Sequence, residues 1–140
     1  MKTLSLTLVV SALLVSSAFA QAPPNTCGTV PACGANKKSP VTFDICSDQK
    51  DETGQPGDAI TSIQLFNNGA ALGAAIANPT PSVANAAGQV TFRVTVPVVK
   101  GAVNITATLT SAGGTSDPSD VCTFSVTAGK PSKPLALRTQ

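Results

Sequence analysis

The chain has 140 residues, with nine lysines and arginines against seven aspartates and glutamates, and it contains no histidine, tryptophan or tyrosine. The absence of histidine removes the commonest general base and metal ligand. The absence of tryptophan and tyrosine removes the aromatic platforms that usually stack on sugars and bases. A net charge of +2 gives no drive toward nucleic acid, so we expect no nucleic-acid partner.

The first 20 residues have the pattern of a secretory signal peptide. Lys2 supplies a positive charge, residues 4–14 form an apolar run, and residues 18–20 read A-F-A, a small-x-small cleavage site. The apolar run is shorter than the ~20 residues that a membrane-spanning helix needs, which argues against an uncleaved anchor. We therefore predict cleavage before Gln21, a secreted protein in an extracellular or periplasmic location, and no membrane span in the mature chain.

Four cysteines follow this segment, at positions Cys27, Cys33, Cys46 and Cys122. Exported compartments are oxidising, so two structural disulfides are expected in preference to a zinc site. Three pairings are open. The preferred pairing joins Cys27 to Cys33 within an irregular lead-in, residues 21–40, that is rich in Cys and Pro. It leaves Cys46 and Cys122 to join the first strand to the last.

Short runs of alternating apolar and polar residues, separated by Gly, Pro and Asn, predict strands and no amphipathic helix. In chain order the predicted strands are residues 41–46, 60–66, 70–77, 90–96, 102–110 and 121–127. The Asn67-Asn68-Gly69 sequence is a strong turn signal, because Asn and Gly tolerate positive φ. One all-β domain is therefore predicted over residues 41–128, before a basic, proline-containing tail at residues 129–140.

The alternation is clearest in residues 90–96 and 102–110. Each run carries apolar side chains on one face and mostly threonine on the other. Because only a short break at Pro97 separates them, the two runs predict an antiparallel hairpin at the centre of the domain. Six or seven short strands at even spacing predict a β-sandwich.

Residues 63–73 read I-Q-L-F-N-N-G-A-A-L-G and resemble the V-x-L-Y-x-N-G-x-x-I-G hairpin of bacterial immunoglobulin-like domains. Residues 88–92 resemble the G-x-x-x-F strand of those domains, and residues 101–116 and 119–126 resemble their later strands. The resemblance covers roughly residues 43–127. It implies an immunoglobulin-like β-sandwich of about seven antiparallel strands. It also implies an adhesion-type role, because such domains occur in surface adhesins and cell-wall proteins.

Acidic residues provide the one candidate metal site. Some relatives of these domains bind calcium through Asp-rich loops, and hard cations prefer clustered carboxylate and carbonyl oxygens. The loop after the first strand, joined by the last loop if both lie at one end, would supply Asp48, Asp51, Glu52, Asp58, Asp117 and Asp120. The alternative is an ordinary solvated loop and no cofactor.

No catalytic constellation is recognisable, because serine, threonine and aspartate occur without histidine or a free cysteine. Asp44 is the one strand carboxylate, and the alternation places it toward water. The hydroxyl-bearing outer face of the predicted hairpin is a hypothetical flat recognition surface formed by Thr91, Thr95, Thr106 and Thr108. The competing interpretation is ordinary solvent-facing strand residues.

The residues together predict a secreted, non-enzymatic immunoglobulin-like domain that contacts a protein or cell-surface partner. The alternative is a structural subunit of a surface filament or layer that self-associates through its flanks or an exposed sheet edge. A small secreted enzyme or inhibitor is the third alternative.

Overall fold

The computed structural model describes residues 21–29, 33–34 and 36–127. The predicted signal peptide, the tail at residues 129–140 and part of the lead-in (residues 30–32 and 35) lie outside the described residues. Every regular element within the described ranges is a strand, which confirms the all-β prediction. These ranges contain no helix of the length and apolarity that a bilayer crossing requires.

Nine strands occur in the described part of the chain, and four of them are only two residues long. They are β1 (Lys37–Lys38), β2 (Val41–Ser47), β3 (Ser62–Asn67), β4 (Ala70–Ala71), β5 (Ile76–Ala77), β6 (Val90–Val96), β7 (Gly101–Ser111), β8 (Gly114–Thr115) and β9 (Cys122–Thr127). The strand predicted at residues 70–77 divides into β4 and β5. Gly73 between them has φ +73°, a left-handed conformation that interrupts an extended strand.

The strands form two sheets. The larger has the order β1-β9-β7-β3-β4, with β5 also paired to β3 and β8 to β7, whereas the smaller contains β2 and β6. All pairs are antiparallel except β1–β9, in which Lys37 and Lys38 lie parallel to Val126 and Thr127. The expectation of a purely antiparallel set is therefore wrong at this pair, because a segment of the lead-in lies alongside the last strand.

The predicted hairpin of residues 90–96 and 102–110 is also wrong. β6 pairs with β2 over seven residue pairs, whereas β7 pairs with β3 and β9, so the two runs belong to different sheets. The connection between them passes from one sheet to the other, and Val98 within it is 4% exposed and part of the core. Alternation alone fixes which face of each strand is apolar. It does not distinguish strands that pair side by side from strands whose apolar faces meet.

Apolar side chains from both sheets fill the space between them. Phe43 of β2 and Phe124 of β9 contact each other across this space, with ring centroids 5.9 Å apart. Burial of each such side chain stabilises the fold by about 1.5–3 kcal/mol. The buried cluster consists of Val41, Ile63, Leu65, Val90, Phe92, Val94, Val98, Val103, Ile105, Ala107, Phe124 and Val126.

The predicted tight turn joins β3 and β4. Asn68 and Gly69 have φ values of 51° and 81°, the left-handed pair that a two-residue hairpin loop requires. The Asn104 side-chain amide donates a hydrogen bond of 2.8 Å to Asn68 Oδ1, which attaches the turn to β7.

Two disulfides form, as predicted, but the preferred pairing is wrong. The bonds join Cys27 to Cys46 and Cys33 to Cys122, with Cα–Cα distances of 5.5 and 5.2 Å. The lead-in divides into two parts. Its first part crosses the outer face of the small sheet, where Cys46 projects. Its second part lies alongside β9. Cys33 and Cys122 are 89 residues apart, as are the paired residues Lys37 and Val126, so the disulfide has the same register as the parallel β1–β9 pair.

Truncation of a core valine tests the packing between the sheets. Val103→Ala should lower the free energy of unfolding by about 2–3 kcal/mol, because the lost methyl groups leave a cavity beside side chains that relax only partly. Val103 is 1% exposed, and the matched control Val83→Ala alters a side chain that is 80% exposed. Urea unfolding measures both variants, and equal losses would contradict the packing described here.

Removal of each disulfide tests the observed pairing. The Cys33→Ser/Cys122→Ser variant should lose about 4–5 kcal/mol of stability and the Cys27→Ser/Cys46→Ser variant about 3 kcal/mol, because the closed loops differ in length. The sequence separations are 89 and 19 residues. Non-reducing peptide mapping provides the independent measurement, and a Cys27–Cys33 peptide would overturn the assignment.

Candidate functional site

The acidic loop between β2 and β3 folds back on itself. The Asp51 amide donates to the Gln55 carbonyl and the Gly57 amide donates to the Gln49 carbonyl, each over 2.8 Å. Gly57 permits this close approach, since a Cβ there would lie 3.2 Å from the Asp51 nitrogen. The loop therefore has a definite backbone shape, although its residues are exposed.

An open cleft of about 590 Å³ separates this loop from the turn between β7 and β8. Half-buried Ile60 and Leu109 contribute apolar surface to its lining. The charged part of the lining consists of Asp51, Glu52, Asp58 and Lys50, and the turn contributes hydroxyl groups from Ser111, Thr115 and Ser116. The cleft thus combines a small apolar area with a net negative rim.

Asp51 organises the loop. Its Oδ1 accepts hydrogen bonds from the Thr53 hydroxyl at 2.7 Å and from the Thr53 and Gln55 amides at 2.9 Å each. These donors, with the Thr53 hydroxyl first, hold the pKa of Asp51 below its ordinary value because they favour the ionised form. One carboxylate oxygen is therefore engaged by the loop itself.

The other predicted calcium ligands do not converge. Asp48 accepts a hydrogen bond from the Lys50 amide, and Asp117 and Asp120 do not line the cleft. Within the described ranges no three Asp, Glu, Cys or His side chains are placed to hold a metal ion. The acidic loop lies near the segment after β7 only at the β7–β8 turn, and not at Asp117 or Asp120. The calcium site stays a prediction.

A second set of polar contacts, which the sequence did not reveal, lies on the outer face of the small sheet. Residues 21–24 border a groove of about 670 Å³ with Arg93 and residues 76–80, and residues 25–27 continue across the sheet. The Asn25 side-chain amide donates to the Val83 carbonyl at 2.8 Å and to the Gln89 carbonyl at 2.7 Å. The lead-in consequently covers part of the outer face of the small sheet, whereas Thr42, Cys46, Arg93 and Thr95 on that face stay exposed.

Thr91 lies beneath this segment. The Thr26 amide donates to Thr91 Oγ1 at 2.8 Å, and Thr91 has no exposed surface. Thr108 is 8% exposed and belongs to the other sheet, with Thr106 beside it on β7. The hypothesis that Thr91, Thr95, Thr106 and Thr108 form one flat recognition surface is therefore wrong, because it depended on the hairpin that does not form.

Asp44 and Arg93 form an ion pair on the same outer face. Arg93 donates from Nε to Oδ1 and from Nη2 to Oδ2 of Asp44, each at 2.7 Å, and the Thr26 hydroxyl donates to Oδ2 at 3.1 Å. Arg93 is the chief cause of the lowered pKa of Asp44, against the opposing effect of partial burial. Asp44 lies on the predicted face but is only 16% exposed, since the lead-in covers it.

Both partners were visible in the sequence as charged residues on alternating strands. Their pairing required the β2–β6 register, in which Asp44 lies directly opposite Arg93. No local pattern gives that register. The covering segment had no periodic signal at all, because its contacts come from individual side chains and one disulfide.

No protein-family model, curated protein or solved structure matches this chain. The relationship to bacterial immunoglobulin-like domains, suggested by residues 63–73 and the later strands, stays a prediction.

The ion pair predicts a pH dependence of stability. The folded-state pKa of Asp44 lies below its unfolded value, so the pair stabilises the fold above about pH 4 and that contribution is lost as the pH falls through the folded pKa. Asp44→Asn should cost about 1 kcal/mol near neutral pH, because Arg93 remains 38% exposed and solvent screens the pair.

Urea unfolding at several pH values measures this effect. The difference between Asp44→Asn and the unmodified chain should shrink progressively as the pH falls below about 4, because the folded-state pKa of Asp44 is lowered. Asp117→Asn is the matched control, because Asp117 is exposed and its carboxylate accepts no hydrogen bond from the described residues. A constant difference for Asp44→Asn over the whole pH range would refute the assignment.

Calcium provides a separate test of the acidic loop. A calcium site in the loop would raise the melting temperature in millimolar calcium above its value in chelator, because the bound ion would stabilise the folded chain. A calcium-dependent rise that Asp58→Asn abolished, but Asp120→Asn did not, would show that the loop closes around an ion.

Proposed function

We propose that this protein is a secreted, non-enzymatic immunoglobulin-like domain that acts by contacting another protein or a cell surface. The distribution of strands between the two sheets carries the proposal. Immunoglobulin sandwiches place strands B and E in one sheet and strands C, F and G in the other. In this chain β2 and β6 pair in one sheet, and β3, β7 and β9 are neighbours in the other. Assigning β2, β3, β6, β7 and β9 to B, C, E, F and G reproduces that arrangement.

The disulfides support the exported location. Disulfides persist in oxidising compartments and are rare in the cytosol. Both described bonds fasten the lead-in to the sandwich, so they are part of the folded architecture. Together with the predicted cleavage before Gln21, they favour a secreted protein.

The non-enzymatic part of the proposal rests on which catalytic bases and nucleophiles the chain contains. It has no histidine, and both pairs of cysteines are consumed in disulfides. The hydroxyl groups at the cleft therefore lack the usual base that would convert one of them into a nucleophile.

The cleft between the acidic loop and the β7–β8 turn is the candidate contact surface. Loops at the ends of a sandwich carry binding residues, because the strands hold them rigidly while their sequences vary freely. Its negative rim and its apolar lining from Ile60 and Leu109 favour a partner segment that carries both basic and apolar side chains.

Binding to intact cells of the producing organism tests the proposal. The fluorescently labelled mature chain should bind saturably, and unlabelled chain should compete. Glu52→Lys and Asp58→Lys should weaken binding by roughly tenfold, because they reverse charges at the cleft. Asp120→Lys, which changes an exposed acid away from the cleft, should bind as the unmodified chain does.

Absence of saturable binding would contradict the contact function. Equal effects of all three substitutions would contradict the placement of the contact surface in the cleft. A regular polymer of the mature chain in electron micrographs would instead favour the alternative, a subunit of a surface filament or layer.

A further inference from the structure

Charged side chains of opposite sign lie at opposite ends of the sandwich. The acidic end contains the cleft and the loop between β2 and β3, whose charged residues are Asp48, Asp51, Glu52, Asp58 and Lys50. The basic end contains β1 and residues 97–100, which carry Lys37, Lys38 and Lys100 and no acidic residue. β7 runs from one end to the other, because Gly101 follows Lys100 and Ser111 lines the cleft.

The pairing of strands brings the three lysines together. Lys37 pairs with Val126, and Val126 pairs with Gly101, the residue after Lys100. Lys37 and Gly101 are therefore two strand spacings apart, about 10 Å. All three lysines are exposed, so the basic end presents them to solvent as one group.

The connection at residues 97–100 also presents an apolar side chain. Val98 is buried in the core, and its amide donates a hydrogen bond of 3.1 Å to the Ser39 hydroxyl, which fixes the connection beside β1. The next residue, Val99, is 68% exposed. Val83 and Val121 are the other large apolar side chains exposed in the described ranges, and neither has a basic neighbour in the sequence.

The two ends complement each other. The cleft has an apolar area formed by Ile60 and Leu109 and a net negative rim. Val99 and Lys100 offer one apolar and one positive side chain on consecutive exposed residues. A valine that packs on the apolar area brings the adjacent ammonium group to the carboxylates of the rim. Complementary potentials also steer two molecules into this orientation as they approach.

We propose that the cleft binds Val99 and Lys100 of a second copy of this chain, so that copies associate head to tail. The inference rests on the proposed function, because it takes the cleft as the contact surface and names the protein that the cleft contacts. The loop cannot reach the cleft of its own copy, since along β7 Lys100 is about 30 Å from Leu109. Two acidic ends or two basic ends repel each other, which disfavours a symmetric dimer through either end.

This contact joins two different surfaces, so every assembly keeps one free cleft and one free loop unless it closes into a ring. The cleft lining and the loop are each smaller than the surface of about 20–30 residues that each partner of a stable complex contributes. We therefore expect reversible association that increases with protein concentration and has no fixed copy number.

Sedimentation velocity of the mature chain tests the proposal. The weight-average sedimentation coefficient should rise with protein concentration, and it should fall toward the monomer value as added salt screens the exposed charges. Val99→Asp and Lys100→Glu should each raise the dissociation constant roughly tenfold or more, and Glu52→Lys should do so from the cleft side. The matched controls Val83→Asp and Asp120→Lys change exposed residues outside the cleft and should leave the association unchanged.

A mixture of two variants identifies the geometry of the contact. Lys100→Glu keeps an unmodified cleft, and Glu52→Lys keeps an unmodified loop. Each variant alone should stay monomeric, whereas an equimolar mixture should form at least a one-to-one complex, because the intact cleft of one copy meets the intact loop of the other. Recovery in the mixture also shows that both variants are folded.

A sedimentation coefficient that does not change with concentration would overturn the proposal, as would association that Lys100→Glu leaves intact. Cell binding that Glu52→Lys weakens, by a chain that remains monomeric, would overturn this proposal and leave the proposed function standing. Self-association that both substitutions weaken, by a chain that does not bind cells, would support this proposal and contradict a contact with the cell surface.

Discussion

Apolar packing between the inner faces of the two sheets is the constraint on which the rest of the structure depends. Phe92 and Val94 of β6 and Val103 and Ile105 of β7 belong to one core cluster, although these consecutive strands lie in opposite sheets. Hydrophobic burial is non-directional, and it is satisfied as well by two facing sheets as by one flat hairpin against another layer. Once β6 and β7 lie in opposite sheets, β6 is left to pair with β2, and β7 becomes the central strand of the larger sheet.

Packing against the core covers only the inner face of the small sheet. Two strands alone are marginally stable, so contacts on the outer face add to the stability of this sheet. The lead-in covers part of this face. Thr91 is completely buried beneath it, and the Thr26 hydroxyl donates a hydrogen bond to Asp44 of the Asp44–Arg93 pair. The Cys27–Cys46 disulfide fixes the lead-in to β2. A segment without secondary structure thus covers part of the outer face of the small sheet, whereas the other sheet covers its inner face.

Whether a feature could be predicted from the sequence depends on how far apart in the chain its interacting residues lie. The strand at residues 90–96 and the turn at Asn68 and Gly69 were predicted correctly, because alternation and positive φ are local properties. The pairing of β6 with β7, the disulfide partners and the exposure of Thr91 were predicted wrongly, because the observed contacts join residues more than fifteen positions apart. The acids of the candidate site were visible in the sequence. The role of these acids could not be predicted, because the carboxylate of Asp51 accepts hydrogen bonds from its own loop.

The sequence by itself determined that the domain is built of short strands and which face of most of them is apolar, since both follow from a period of two along the backbone. It also determined that four cysteines would be consumed in two bonds. The tertiary structure alone decided which strands are neighbours, which cysteines meet and which polar residues are removed from water. The physical reason is that packing of apolar faces tolerates many pairings, and only the simultaneous fit of core, register and covering segment selects one.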